Sequence, residues 1–293
     1  MPRSAGDGQH RDTTPRATSP VLPLYAGKNP SPHTTTENAR TLKNVTHLLI
    51  IQPDTSDPAG PLGEWLAEAG AELDVRLMPE QGLPGSLDGY AGVVCLGGSM
   101  GALDDADHPW LVDVRKMLAS AAGKRVPTLG ICLGAQLLAA ATGGQVVLGE
   151  DGPEVGPALV SKKDAAWTDP LFAELPLVPD VLQFHNDVIK RVPPGAEILA
   201  SSPRYPHQAF RLNRCSYGIQ FHIETTPGLV RDWAKSAPEM AELTRPGALS
   251  AEKLTELHAD LAETWRPFAH RFVRLAAGEL EPAAEGQHRL PLV

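Results

Sequence analysis

Val126-Pro127-Thr128-Leu129-Gly130-Ile131-Cys132-Leu133-Gly134-Ala135-Gln136-Leu137-Leu138-Ala139-Ala140-Ala141 is the stretch whose reading decides the fold. An apolar run, a G-x-C-x-G frame and a helix-prone segment follow one another, which predicts a strand, a tight turn and a helix start. Upstream, His47 to Gln52 reads as a buried strand, Leu62 to Ala69 as a helix, and Glu72 to Leu77 and Ala91 to Leu96 as two further strands. Trp110 to Ala121 reads as the helix before the Cys132 strand. Such alternation predicts an α/β domain, a parallel sheet with helices on both faces, and ligands beyond the carboxyl ends of its strands. Cys132 and Gly97-Gly98 both fall at those ends. Downstream the pattern changes to a hairpin, with Gln208 to Leu212 and Ser216 to Phe221 flanking a turn at Asn213-Arg214.

The G-x-C-x-G frame has the form of a nucleophile elbow, in which a strained strand-to-helix turn presents the reactive side chain. A helix start directly behind Cys132 favours negative charge on its sulfur. His222 and Glu224 stand two apart at the end of the Ser216 to Phe221 strand, so their side chains can leave the same face. Glu224 can then hold one imidazole nitrogen while the other faces Cys132, which is the base-and-orienter logic of a catalytic triad. Each piece alone has an ordinary structural reading, because buried cysteine commonly serves as a small hydrophobe. Together they point to catalysis. The Gly97-Gly98 turn after Val93-Val94-Cys95-Leu96 also lets bare backbone approach a ligand.

From about Val45 to Trp233 the chain resembles the class I, triad-type glutamine amidotransferases, especially stand-alone relatives of the GMP synthase glutaminase domain. The matching pieces are Leu96-Gly97-Gly98-Ser99-Met100-Gly101, Gly130 to Leu138, His185-Asn186-Asp187 and Gly218-Ile219-Gln220-Phe221-His222-Ile223-Glu224. Ile223 stands where the family often has proline, as does Ser99 in the Gly-Gly loop. The resemblance implies a flavodoxin-like, mostly parallel sheet. It also implies that Cys132 attacks the side-chain amide of glutamine, His222 shuttles protons and Glu224 orients His222, so that ammonia leaves and a glutamyl thioester awaits water. By the same resemblance the backbone N–H groups of Gly98 and Leu133 form the oxyanion hole. Gln136 contacts the bound glutamine, and Asp187 recognises its amino acid end.

The domain reading is a disordered tail over residues 1–44, an amidotransferase domain over 45–245, and a C-terminal amphipathic helix and tail over 246–293. The first segment is rich in Pro, Thr, Ser and Gly without an apolar period. In the last, Leu254, Leu257, Leu261, Trp265, Phe268, Phe272 and Leu275 recur at helical steps, either as core packing or as a partner-docking face. His258 and His270 on that helix read as surface residues. A net charge of −9 argues against a broad nucleic-acid surface. No signal peptide or membrane-length apolar run is apparent. Three cysteines give no disulfide framework, which fits a reduced cytoplasm. Of these, Cys95 reads as core and Cys215 as incidental.

No cysteine or histidine cluster has metal-ligand spacing and no glycine-rich loop fits a phosphate, so neither a metal nor a cofactor is expected. About seventy residues follow His222, too few for a domain that activates an acceptor with ATP. A separate synthetase or ammonia-accepting subunit is therefore the expected partner, with L-glutamine the expected substrate. Two alternatives stay open: another γ-glutamyl amide or peptide as substrate, and a catalytically silent binding module.

Overall fold

The computed structural model describes residues 45–284. The tail read over residues 1–44 lies outside the described residues, as do the last nine residues. The elements run β1 (Thr46–Gln52), α1 (Gly60–Glu68), β2 (Ala71–Leu77), β3 (Gly92–Cys95), α2 (Leu111–Gly123), β4 (Thr128–Ile131) and α3 (Leu133–Ala141). There follow β5 (Gln145–Leu148), β6 (Glu154–Leu159), β7 (Ser161–Lys162), a 3₁₀ turn (Asp164–Trp167), β8 (Asp180–His185), β9 (Asp187–Arg191) and β10 (Glu197–Ser201). The chain closes with β11 (Ala209–Leu212), β12 (Ser216–Ile219), α4 (Pro227–Ser236), α5 (Pro238–Ala241) and α6 (Ala251–Ala276).

Eight strands form the main sheet in the order β2-β1-β3-β4-β12-β11-β10-β7. The first five run parallel, and β12, β11, β10 and β7 continue as an antiparallel extension. The reversal of order between β1 and β3 is the switch point at which open α/β sheets bind ligands. Side chains along a strand alternate faces, and β1 shows the result. Leu48 and Ile50 enter one core with Leu62, Leu66 and Trp265, while Leu49 and Ile51 enter the other with Val114, Leu118 and Leu137. So α1 and α6 cover one face and α2 and α3 the other, as the alternation in sequence predicts. β5–β9 and β6–β8 are separate antiparallel pairs, in a part of the chain where the hydrophobic pattern predicts no strands.

α6 begins at Ser250, whose hydroxyl accepts from the Lys253 N–H at 3.3 Å, a serine N-cap of the expected kind. Its apolar stripe is interior. Trp265 and Phe268 are fully buried, packed with Phe172 and Phe221, and the Trp265 indole donates to the Asp180 carbonyl at 2.9 Å. Each large apolar side chain so buried favours folding by roughly 1.5–3 kcal/mol. His258 is not the surface residue read from sequence: it is half-buried, with Nε2 3.0 Å from the Thr225 hydroxyl. Cys215 is buried too, its thiol donating to the Arg125 carbonyl at 3.2 Å. No helix of the described residues is long and apolar enough to cross a membrane.

Candidate active site

Cys132 occupies the turn between β4 and α3 with φ 49° and ψ −108°, a left-handed conformation rare outside glycine. Strain of this kind persists only where its surroundings over-determine it, and here they do. The Cys132 N–H donates to the Ile219 carbonyl at 2.8 Å and its carbonyl accepts from the Gln136 N–H at 3.0 Å. The flanking glycines are demanded by close approach. A Cβ on Gly134 would lie 2.0 Å from the Cys95 carbonyl oxygen, and one on Gly130 would lie 2.5 Å from the Gly134 oxygen.

The strand carrying His222 ends earlier than its sequence suggests. β12 stops at Ile219, and His222 instead makes a bridge to Leu182 of β8, donating its N–H to the Leu182 carbonyl at 2.8 Å. His222 Nδ1 donates to Glu224 Oε1 at 2.5 Å, and Glu224 Oε2 accepts from the Ile223 N–H at 2.8 Å. The Trp233 ring meets the imidazole edge-on, with centroids 4.8 Å apart. Burial alone would depress the pKa of His222, but the charge of Glu224, then of Cys132, outweighs it and holds the imidazole well above its ordinary value. Glu224 moves the other way: burial raises it, and the imidazolium beside it brings it below the usual carboxylate range. His222 Nε2 is buried without a hydrogen-bond partner and belongs to the same cavity wall as Cys132.

That cavity encloses about 540 Å³ and includes Gly98, Cys132, Gln136, Asp187 and His222 in its lining. Gly98 abuts the elbow, since a Cβ there would lie 2.8 Å from Met100 Sδ and 3.0 Å from Leu133 Cδ2. Leu133 opens α3, so its N–H has no acceptor within the helix. The neighbouring Ser99 is tied to Asp54, which accepts from both its N–H at 3.2 Å and its hydroxyl at 2.5 Å. Gln136 faces the cavity from α3, but its amide nitrogen is already engaged by the Asp187 carbonyl at 2.9 Å and Gln220 Oε1 at 3.3 Å. Burial, then the charge of Asp104, raises the Asp187 carboxyl above its ordinary value.

Sequence reasoning missed Asp57, Gln220 and Trp233. Gln220 Nε2 donates to Cys132 Sγ at 3.8 Å, while Trp233 Nε1 donates to the Ser56 carbonyl at 2.7 Å and so fastens the β1–α1 loop over His222. Asp57 in that loop is 3% exposed, and its carboxylate lies with a ring nitrogen of His222 and a Glu224 oxygen in a set of atoms all within 4.8 Å of one another. The available signal was position: Pro53-Asp54-Thr55-Ser56-Asp57 follows the carboxyl end of β1, beside the switch point.

The family model of glutamine amidotransferase class-I matches residues 64–232, which include Cys132, His222 and Glu224. The chain belongs to this family. Among solved structures, a glutamine amidotransferase from Thermotoga maritima is 28% identical with a TM-score of 0.70, over 78% of this chain and 98% of that one. A glutamine amidotransferase from Methylobacillus flagellatus is 26% identical with a TM-score of 0.68, over 84% and 100%. The GMP synthase (glutamine-hydrolysing) of Thermomicrobium roseum is 42% identical over 99 residues, 34% of this chain and 18% of that protein. That of Lactococcus lactis subsp. cremoris strain SK11 is 41% identical over 101 residues, 34% and 19%. The amidotransferase thus aligns with less than a fifth of each of these two synthases.

Proposed function

We propose that this amidotransferase hydrolyses the side-chain amide of L-glutamine through a thioester on Cys132. The observation that carries the reading is the strained cysteine at the elbow sharing one cavity with an imidazole that is anchored to a buried carboxylate. The Cys132 sulfur, whose proton His222 holds, attacks the amide carbon, and the carbon–nitrogen bond breaks as His222 gives that proton to the departing ammonia. Water, deprotonated by the now neutral His222, then adds to the thioester; the carbon–sulfur bond breaks, glutamate leaves and the imidazolium is restored beside the Cys132 sulfur. The N–H groups of Gly98 and Leu133 stabilise the oxyanion of each tetrahedral intermediate. Gln136 contacts the bound substrate, and Asp187 recognises its amino acid end. A separate synthetase or other ammonia-accepting protein is the proposed consumer of the ammonia.

The size of the cavity supports a second substrate: about 540 Å³ leaves room for a group beyond the amide, as in a γ-glutamyl amine. Ammonia release from glutamine, compared with amine release from γ-glutamyl amines, separates the two. In either case Cys132→Ala is expected to abolish turnover with the melting temperature retained. Turnover by that variant at the wild-type rate would remove Cys132 from the mechanism.

A further inference from the structure

Asp57 brings a second buried carboxyl to the His222–Glu224 pair, and the fold goes to some length to keep it there. Its N–H donates to the Asp54 carbonyl at 3.2 Å, Trp233 holds the adjacent Ser56 carbonyl, and Asp54 binds Ser99 across the cavity mouth. Gly97 leaves the space it occupies: a Cβ there would lie 1.9 Å from Asp57 Oδ2 and 3.2 Å from His222 Cε1. Asp57 Oδ1 is buried with no hydrogen-bond partner.

The groups facing this carboxyl are Glu224 and His222 from the segment after β12, Asp54 from its own loop, and the Cys95 thiol from β3; His258 of α6 stands behind Glu224. One imidazolium cannot neutralise two carboxylates buried together, so one of them keeps its proton. Glu224 has the imidazolium and the Ile223 N–H and is the anion. Asp57 has neither. Burial, then the charge of Glu224, pushes the Asp57 carboxyl well above the usual carboxylate range, with Glu224 in hydrogen-bonding reach.

We propose that Asp57 is a positioning residue of the triad, a neutral carboxyl whose O–H donates to Glu224 and keeps that carboxylate charged and aimed at His222. The proton stays on Asp57 throughout, and no covalent bond of Asp57 changes. The proposal rests on the triad reading above and adds to it a fourth member, outside residues 64–232 matched by the family model.

The test compares Asp57→Ala with Asp57→Asn, whose amide cannot ionise but still donates. Two pH profiles are recorded for each: kcat/KM for glutamine, and the rate of Cys132 alkylation by iodoacetamide, read by peptide mass spectrometry. Loss of the donor raises the pKa of Glu224, so Asp57→Ala is expected to move the acid limb of both profiles up by about one pH unit. It should lower kcat about tenfold or more with KM nearly unchanged, since positioned acid–base help carries about a hundred- to ten-thousand-fold. Asp57→Asn should recover most of the loss and return the limb. An unmoved acid limb in Asp57→Ala, or an Asp57→Asn as impaired as the alanine variant while equally well folded, would overturn the proposal. If the wild type hydrolyses no γ-glutamyl substrate, the functional reading fails, but the alkylation profiles still decide the role of Asp57.

Discussion

At the scale of single residues, the site combines a strained cysteine with an imidazole and a carboxylate whose affinities for protons are pushed apart. Glu224 titrates below ordinary carboxylates, so its stabilising contribution is present above the unfolded carboxylate range and is lost as pH falls through the lowered folded value. His222 titrates above ordinary histidines, so its contribution is present below the unfolded histidine value and is lost as pH rises through the raised folded one. Between those limits both groups are charged. His222→Asn is expected to cost roughly a hundred- to ten-thousand-fold in kcat/KM. Glu224→Ala should cost less and move the alkaline limb of the pH profile downward, because the charge that holds His222 up is gone. A limb that stays in place in Glu224→Ala would detach Glu224 from the base.

Cys132, His222 and Glu224 were legible in the sequence because a strand–turn–helix pattern and a two-residue spacing are local features. Asp57 was not legible. A lone aspartate in a proline-containing loop looks like turn chemistry, and its meaning depends on contacts with Gly97, His222 and Glu224, all remote along the chain.

At the scale of elements, the alternation of short apolar runs with helical periods was enough to place β1 to β4 and α1 to α3, since each element buries a face whose period its own residues display. The C-terminal stripe shows the limit of such reading. Its period specifies a helix but not what covers the apolar side, and only the structure shows that Phe172, Phe221 and the β8 edge do so. Trp265→Ala is therefore expected to destabilise the fold by about 3–5 kcal/mol, through a large cavity and an unpaired Asp180 carbonyl. Urea unfolding monitored by circular dichroism measures this. A loss under about 1 kcal/mol would mean that α6 is an accessory rather than part of the core. β12 departs from its sequence reading for a similar reason. Gln220-Phe221 continues the alternation of β12 and could prolong the strand, yet the chain leaves the sheet to bring His222 against Leu182.

At the scale of the whole molecule, the sheet order puts the loops after β1, β3 and β4 around one cavity, with Asp57, Gly98 and Cys132 on its wall. The segment after β12 adds His222 from the antiparallel side. This convergence is a property of the topology, which is why the family resemblance read from scattered motifs agreed with the sheet order found. The antiparallel pairs β5–β9 and β6–β8 escaped sequence reading because β5 and β6 bury little and β8 buries consecutive residues rather than alternating ones. With the stripe of α6 interior, a synthetase partner, if docked, would use another surface.

The central claim, that Cys132 is the nucleophile of a site that binds glutamine, is tested most directly by peptide mass spectrometry after treatment with a diazoketone analogue of glutamine. The thiols of Cys95 and Cys215 are buried and held above their ordinary pKa, chiefly by burial, so neither competes. The predicted result is a single adduct on Cys132, formed by the folded wild-type chain, suppressed by excess L-glutamine and missing from His222→Asn within the same time. An adduct on Cys95 or Cys215 alone, or no adduct on Cys132 in the folded protein, would contradict it.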